Sequence, residues 1–115
     1  DPLILQALVV GDDRPCLAAL VVPNPDVLAA EVNARGIAVA SREEALTNPQ
    51  VLALYEQRIR ERLKDVSHYE QVHRFALLPR GFSIEEGELT AKLSLRRKVI
   101  EQHFAAEIES LYRRG

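Results

Sequence analysis

Only three of the fifteen basic residues are lysines, Lys64, Lys92 and Lys98, and Lys92 has the most suggestive surroundings. From Glu88 to Leu95 the sequence alternates with period two. An extended ribbon with that pattern gathers Glu88, Thr90, Lys92 and Ser94 on one face and Leu89, Ala91, Leu93 and Leu95 on the other. Such a ribbon docks its apolar face and presents Lys92 outward as a charge on a flexible stem. Glu86-Gly87 supplies a turn before it, and Arg96-Arg97-Lys98 a basic entry into a final helix. The plain alternative is an amphipathic edge strand, so chemistry here needs support from the rest of the chain.

The other reactive residue types offer less. Cys16 lies in the apolar run to Val22 and reads as a small buried hydrophobe. As the single cysteine it allows neither an internal disulfide nor a cysteine-based metal cage. His68 and His73 have no acidic or cysteine partners at metal-ligand spacing, so no metal site is expected. The five glycines are scattered and form no phosphate loop. Arg58, Arg60, Arg62 and Lys64 flank a helix but alternate with Glu56, Glu61 and Asp65, as on a solvated, self-paired face.

Three strands and three main helices are expected to position Lys92. Leu3–Val10 and Cys16–Val22 read as strands joined by a turn at Gly11. Asn24-Pro25 starts a helix that Gly36 stops, and Ser41-Arg42-Glu43-Glu44 is a capping box for a short turn. Asn48-Pro49 opens a longer helix with Leu52, Tyr55, Ile59, Leu63 and Val66 along one stripe. Ser67–Glu70 connects it to a third strand, Val72–Leu78. The last helix runs from about Arg96 with Ile100, Phe104, Ile108 and Leu111 facing inward, His103 flanking them, and Ser94 available as a cap. The fold class is α+β: a small, mostly antiparallel sheet of about three strands plus a β-ribbon, packed by about three main helices.

With 115 residues the chain fits a single domain, and its near-neutral net charge of -2 speaks against a nucleic-acid partner. No apolar run approaches the ~20 residues of a membrane span. The sequence starts without a signal-peptide pattern and enters a strand almost at once, so it is expected to be part of something longer.

Read in order, these segments resemble the C-terminal domain of long-chain fatty acyl-CoA ligases in the adenylate-forming superfamily. The resemblance rests on Leu5–Gly11 with Leu17–Pro23, on Asn48–Tyr55, on Tyr69–Pro79, and most specifically on Phe82–Thr90 followed by Arg97–Ile100. It implies that residues 1–115 are the lid of an enzyme whose N-terminal adenylation domain lies outside this chain. It implies ATP, Mg2+ and CoA as cofactors of the full-length enzyme, a fatty acid as substrate, and a cytoplasmic location with the membrane periphery as a further one. The isolated chain is expected to be inactive, since the nucleotide and acyl pockets belong to the larger domain. Within the family one lid lysine reaches the reacting carboxylate and nucleotide in the first half-reaction and withdraws in the second.

Here the pattern departs. After Leu-Thr the family runs proline, threonine, apolar, lysine, apolar, basic, arginine, whereas this chain has Ala91, Lys92, Leu93, Ser94, Leu95, Arg96 and Arg97. Ser94 therefore occupies the lysine position, and Lys92, two residues earlier on the expected same face, is the candidate catalytic residue. The alternatives are a subfamily that dispenses with the lysine and a domain that has lost adenylation. The function expected is that of a long-chain fatty acid–CoA ligase lid. A lid serving an acyl-carrier-protein ligase and a non-catalytic α+β interaction module are the competing readings, separated by fatty-acid-dependent AMP release with each acceptor.

Overall fold

The computed structural model describes residues 2–11, 14, 16–64 and 72–113. Its elements are β1 (Ile4–Val10), β2 (Leu17–Pro23), α1 (Pro25–Arg35), α2 (Arg42–Ala45), α3 (Pro49–Leu63), β3 (Val72–Leu77), α4 (Arg97–His103) and α5 (Ala105–Arg113). The sequence-based connector Ser67–Glu70, with His68, and the end of the α3 stripe at Val66 lie outside the described residues.

The fold is α+β, and β2 is its axis. The strand order is β1-β2-β3, so β2 is paired along both edges, and its uninterrupted apolar run reflects a core on each face. It pairs antiparallel with β1, with Val9 opposite Ala19, and parallel with β3, with Ala19 opposite Phe75. The expected sheet was mostly antiparallel, and the parallel ladder is the difference. Three helices intervene between β2 and β3, and a crossover of that length is what parallel neighbours require.

Alternate residues of β2 feed two cores. Ala19 and Val21 join Leu28 and Val32 of α1 and Val51, Leu54, Tyr55 and Ile59 of α3. Ala18, Leu20 and Val22 join Phe82, Leu89, Ile100, Phe104, Ile108 and Leu111 on the opposite side. The sheet is thus sandwiched, and the second core is the one beneath the Lys92 segment.

Local capping follows the sequence closely. Asn24 Oδ1 accepts the backbone N–H groups of Asp26 and Val27, and Asn48 Oδ1 those of Gln50 and Val51. Ser41 Oγ accepts from Glu44 N–H, and Gly36 closes α1 in the left-handed conformation at φ 66°. The final helix departs from expectation by breaking at Phe104 (φ -110°, ψ 25°) into α4 and α5. Its inward face survives the break, because Ile100, Phe104, Ile108 and Leu111 are all buried.

Candidate functional site

The Lys92 segment does not remain extended. Leu89 and Leu95 form an isolated antiparallel bridge, and the chain reverses between them. Leu93 N–H donates to the Thr90 carbonyl at 2.8 Å, and Thr90 N–H donates to the Ser94 carbonyl at 2.9 Å. Ser94 N–H also donates to Thr90 Oγ1 at 3.1 Å. The threonine hydroxyl and carbonyl together hold a reversal that alternation alone would not form.

This corrects the geometry inferred from periodicity. Lys92 and Ser94 are not successive positions on one strand face: Lys92 sits exposed within the turn, and Ser94 lies on the returning arm. Leu93 between them adopts φ 65°, the one non-glycine residue described with positive φ, and is 66% exposed. Of the supposed apolar face only Leu89 is buried. Ser94 is not a helix cap either, since α4 begins after Arg96 with no side-chain cap.

At the root of the hairpin the opposite holds. Glu88, expected on the outward face with Lys92, is 0% exposed. Arg80 grips it with both terminal nitrogens, Nη1 donating to Oε1 and Nη2 to Oε2 at 2.8 Å each. Ser83 N–H donates to Oε1 at 3.2 Å. His103 Nδ1 lies 2.7 Å from Oε2, and an ionised carboxylate only accepts, so Nδ1 carries the proton. The Arg80 hydrogen bonds, helped by those from His103 and Ser83, hold the Glu88 carboxyl down at about 2 against the opposing effect of burial. The same pairing raises Arg80.

Further contacts hold the root in place. Ser83 Oγ accepts from Glu86 N–H, and Gly87 closes the turn before Glu88 at φ 74°. The Arg80 guanidinium lies 4.9 Å over the Phe104 ring, which Phe82 meets edge-on at 5.9 Å. Arg97 at the start of α4 donates to the Val9 carbonyl of β1. The Arg80–Glu88–His103 group has no local signature, because Arg80 and His103 lie 8 and 15 residues from Glu88.

The remaining candidates are structural. Cys16 is half-buried, and its carbonyl accepts from the Tyr112 hydroxyl at 2.7 Å. Gly11 has φ 99°, and a Cβ there would collide with that hydroxyl, so glycine is required for more than the turn. Arg14 stacks over the Tyr112 ring at 4.7 Å and pairs with Glu109, fastening α5 to the β1–β2 end. Among the described residues no cluster of His, Cys, Asp and Glu could hold a metal ion, and no helix is long and apolar enough to cross a membrane. A groove of about 610 Å³ between α1 and α2, lined by Leu5, Leu28, Val32 and Leu46, includes no residue of the hairpin.

Fold and site together define a small α+β domain that anchors a hairpin at a buried carboxylate and offers a lysine at its far end. Its family follows from sequence. The AMP-binding enzyme C-terminal domain family matches residues 1–115, and the chain belongs to it. It is 35% identical over 113 residues to the long-chain-fatty-acid–CoA ligase FadD15 of Mycobacterium tuberculosis, covering 96% of this chain and 19% of that protein. It is 32% identical to long-chain-fatty-acid–CoA ligase 1 of Cavia porcellus, over 95% of this chain and 16% of the relative. The adenylation domain of a carboxylate reductase from Mycobacterium chelonae shares the fold, with a TM-score of 0.72 at 24% identity over 96% of this chain and 16% of that one. The chain therefore spans about a fifth of the length of the ligases it resembles.

Proposed function

We propose that residues 1–115 are the mobile lid of an ATP-dependent, AMP-forming long-chain fatty acid–CoA ligase, with Lys92 as its lid cation. Family membership and the relatives' names support the reaction class. The observation that carries the residue assignment is the hairpin itself, which holds Lys92 exposed at a turn while its root is fixed in the core. Ser94 offers only a hydroxyl on the returning arm, with no fixed charge.

In the first half-reaction a fatty carboxylate oxygen attacks the α-phosphorus of Mg-ATP, the bond to the bridging oxygen breaks, and pyrophosphate leaves. Negative charge is shared between carboxylate and phosphate as this occurs, and a placed ammonium stabilises it in a closed site. In the second, the CoA sulfur attacks the acyl carbonyl, AMP leaves, and the thiol proton is released. A lid that rotates Lys92 away makes room for the thiol. The nucleotide, Mg2+ and acyl pockets belong to the N-terminal adenylation domain of the full-length enzyme, which we place in the cytoplasm with contact at the membrane periphery.

The test is Lys92→Ala in the full-length enzyme. Acyl-adenylate formation, followed as fatty-acid-dependent pyrophosphate release, should fall about 100-fold or more. Thioester formation from supplied acyl-adenylate should persist. Adenylation at the wild-type rate would remove Lys92 from the mechanism.

A further inference from the structure

Glu88 is an expensive residue to bury. A carboxylate withdrawn from water costs several kcal/mol before its partners offset it, and an apolar side chain of similar size would often serve stability equally well. The next residue, Leu89, belongs to the apolar second core with Phe82, Ile100 and Phe104, and the Arg80 that pairs with Glu88 lies over the Phe104 ring. The charge is retained where three separate segments meet, at Arg80 after β3, at the Ser83 turn and at His103 on the last turn of α4.

The main chain of Glu88 works at the same point. Its N–H donates to the Ser83 carbonyl at 3.0 Å, and its carbonyl accepts from Arg96 N–H at 2.8 Å. Arg96 is where the returning arm enters α4, so the outgoing and returning arms are both tied at this one residue. Beyond the Leu89–Leu95 bridge, the hydrogen bonds at the turn are those within Thr90–Ser94. The hairpin therefore leaves the core from a root held by Glu88, with Leu89 N–H donating to the same Ser83 carbonyl at 3.2 Å.

We propose that Glu88 is a positioning residue for Lys92, its contacts with Arg80, Ser83 and His103 aiming the hairpin so that the lysine meets the reacting groups. The proposal rests on the lid reading above. The distance makes the leverage plain. Three to four residues of extended arm span about 10 Å, so a tilt of about 10° at the root displaces the tip by about 2 Å. A displacement of even 1 Å at a reacting centre can cost about 100-fold in rate.

A double-mutant cycle in the full-length enzyme separates aiming from general stabilisation. Glu88→Gln, Lys92→Ala and the double variant are assayed for pyrophosphate release and for thioester formation from supplied acyl-adenylate, with thermal denaturation confirming the folded state. Glu88→Gln should slow adenylation about 10- to 100-fold and spare the second half-reaction. The double variant should be no slower than Lys92→Ala alone, because a root that acts only through Lys92 has nothing left to aim. His103→Ala leaves the Arg80–Glu88 pair in place and should reproduce the same pattern with a smaller loss. It carries the test if Glu88→Gln does not fold. Losses that multiply in the double variant, with Lys92→Ala itself impaired, overturn the positioning role alone. A Lys92→Ala enzyme that adenylates normally overturns the lid assignment beneath it.

Discussion

The root and the tip of one short hairpin are built on opposite principles. At the root, Glu88 is fully enclosed and every oxygen is held by a named donor. A few residues on, Lys92 is exposed and Leu93 carries both an exposed side chain and a left-handed backbone. Burial concentrates where the carboxylate and Leu89 meet the core, whereas the tip that carries Lys92, the proposed lid cation, buries almost nothing. Substitutions at the two ends should accordingly fail in different ways: the root through folding and aim, the tip through chemistry.

The largest difference between root and tip should be seen at the leucines. Leu89 is buried in the second core, and Leu95, its bridge partner, is 40% exposed. Leu89→Ala should lower the unfolding free energy of this chain by about 3 kcal/mol, the usual cost of a core cavity. Leu95→Ala should cost about 1 kcal/mol or less. Urea denaturation of both variants reads the difference, and equal losses would mean that the two arms are buried alike.

A second effect, about 2 kcal/mol at neutral pH, is expected from Glu88→Gln, which leaves Arg80 and His103 without their carboxylate. Its pH dependence has a definite sign. The carboxyl lies at about 2 in the folded chain against an ordinary 4.5, so the unfolded state binds the proton more tightly. The charged contact then stabilises fully above about pH 4.5 and is lost as the pH falls toward 2. Wild type and Glu88→Gln should differ most near neutrality and converge across that window. Thermal melts from pH 7 to pH 2.5 follow it, and a constant gap would show that the carboxylate is not the stabilising group.

What was legible in the sequence was what is decided locally. Asn24, Ser41 and Asn48 cap helices through bonds to residues two or three positions away, and β2 announces double-sided burial by its apolar run. The hairpin was not legible. Thr90-Ala91-Lys92-Leu93 lacks glycine, proline, asparagine and aspartate, so nothing marked a reversal, and an uninterrupted alternation favoured one straight strand. The same alternation puts Glu88 outward, whereas Arg80 and His103 hold it inward. That preference arises only after β3 and α4 have packed, so a pattern confined to Glu88–Leu95 does not contain it. Family resemblance identified the chain well, yet the position of Lys92 relative to Ser94 had to come from the turn.

The smallest expected effect lies at Leu93 and tests the tip directly. A leucine at φ 65° carries about 1–2 kcal/mol of backbone strain, and its 66% exposure means that little core contact offsets it. Glycine at this position relieves the strain but gives back conformational entropy to the unfolded chain, so the two terms nearly cancel. Leu93→Gly should therefore leave stability unchanged or raise it by up to about 1 kcal/mol, in contrast to Leu89→Ala on the same hairpin. A loss of 2 kcal/mol or more, measured by urea denaturation, would show that the Leu93 side chain is anchored. The tip would then share the construction of the root, and the division between a holding end and an exposed end would fail.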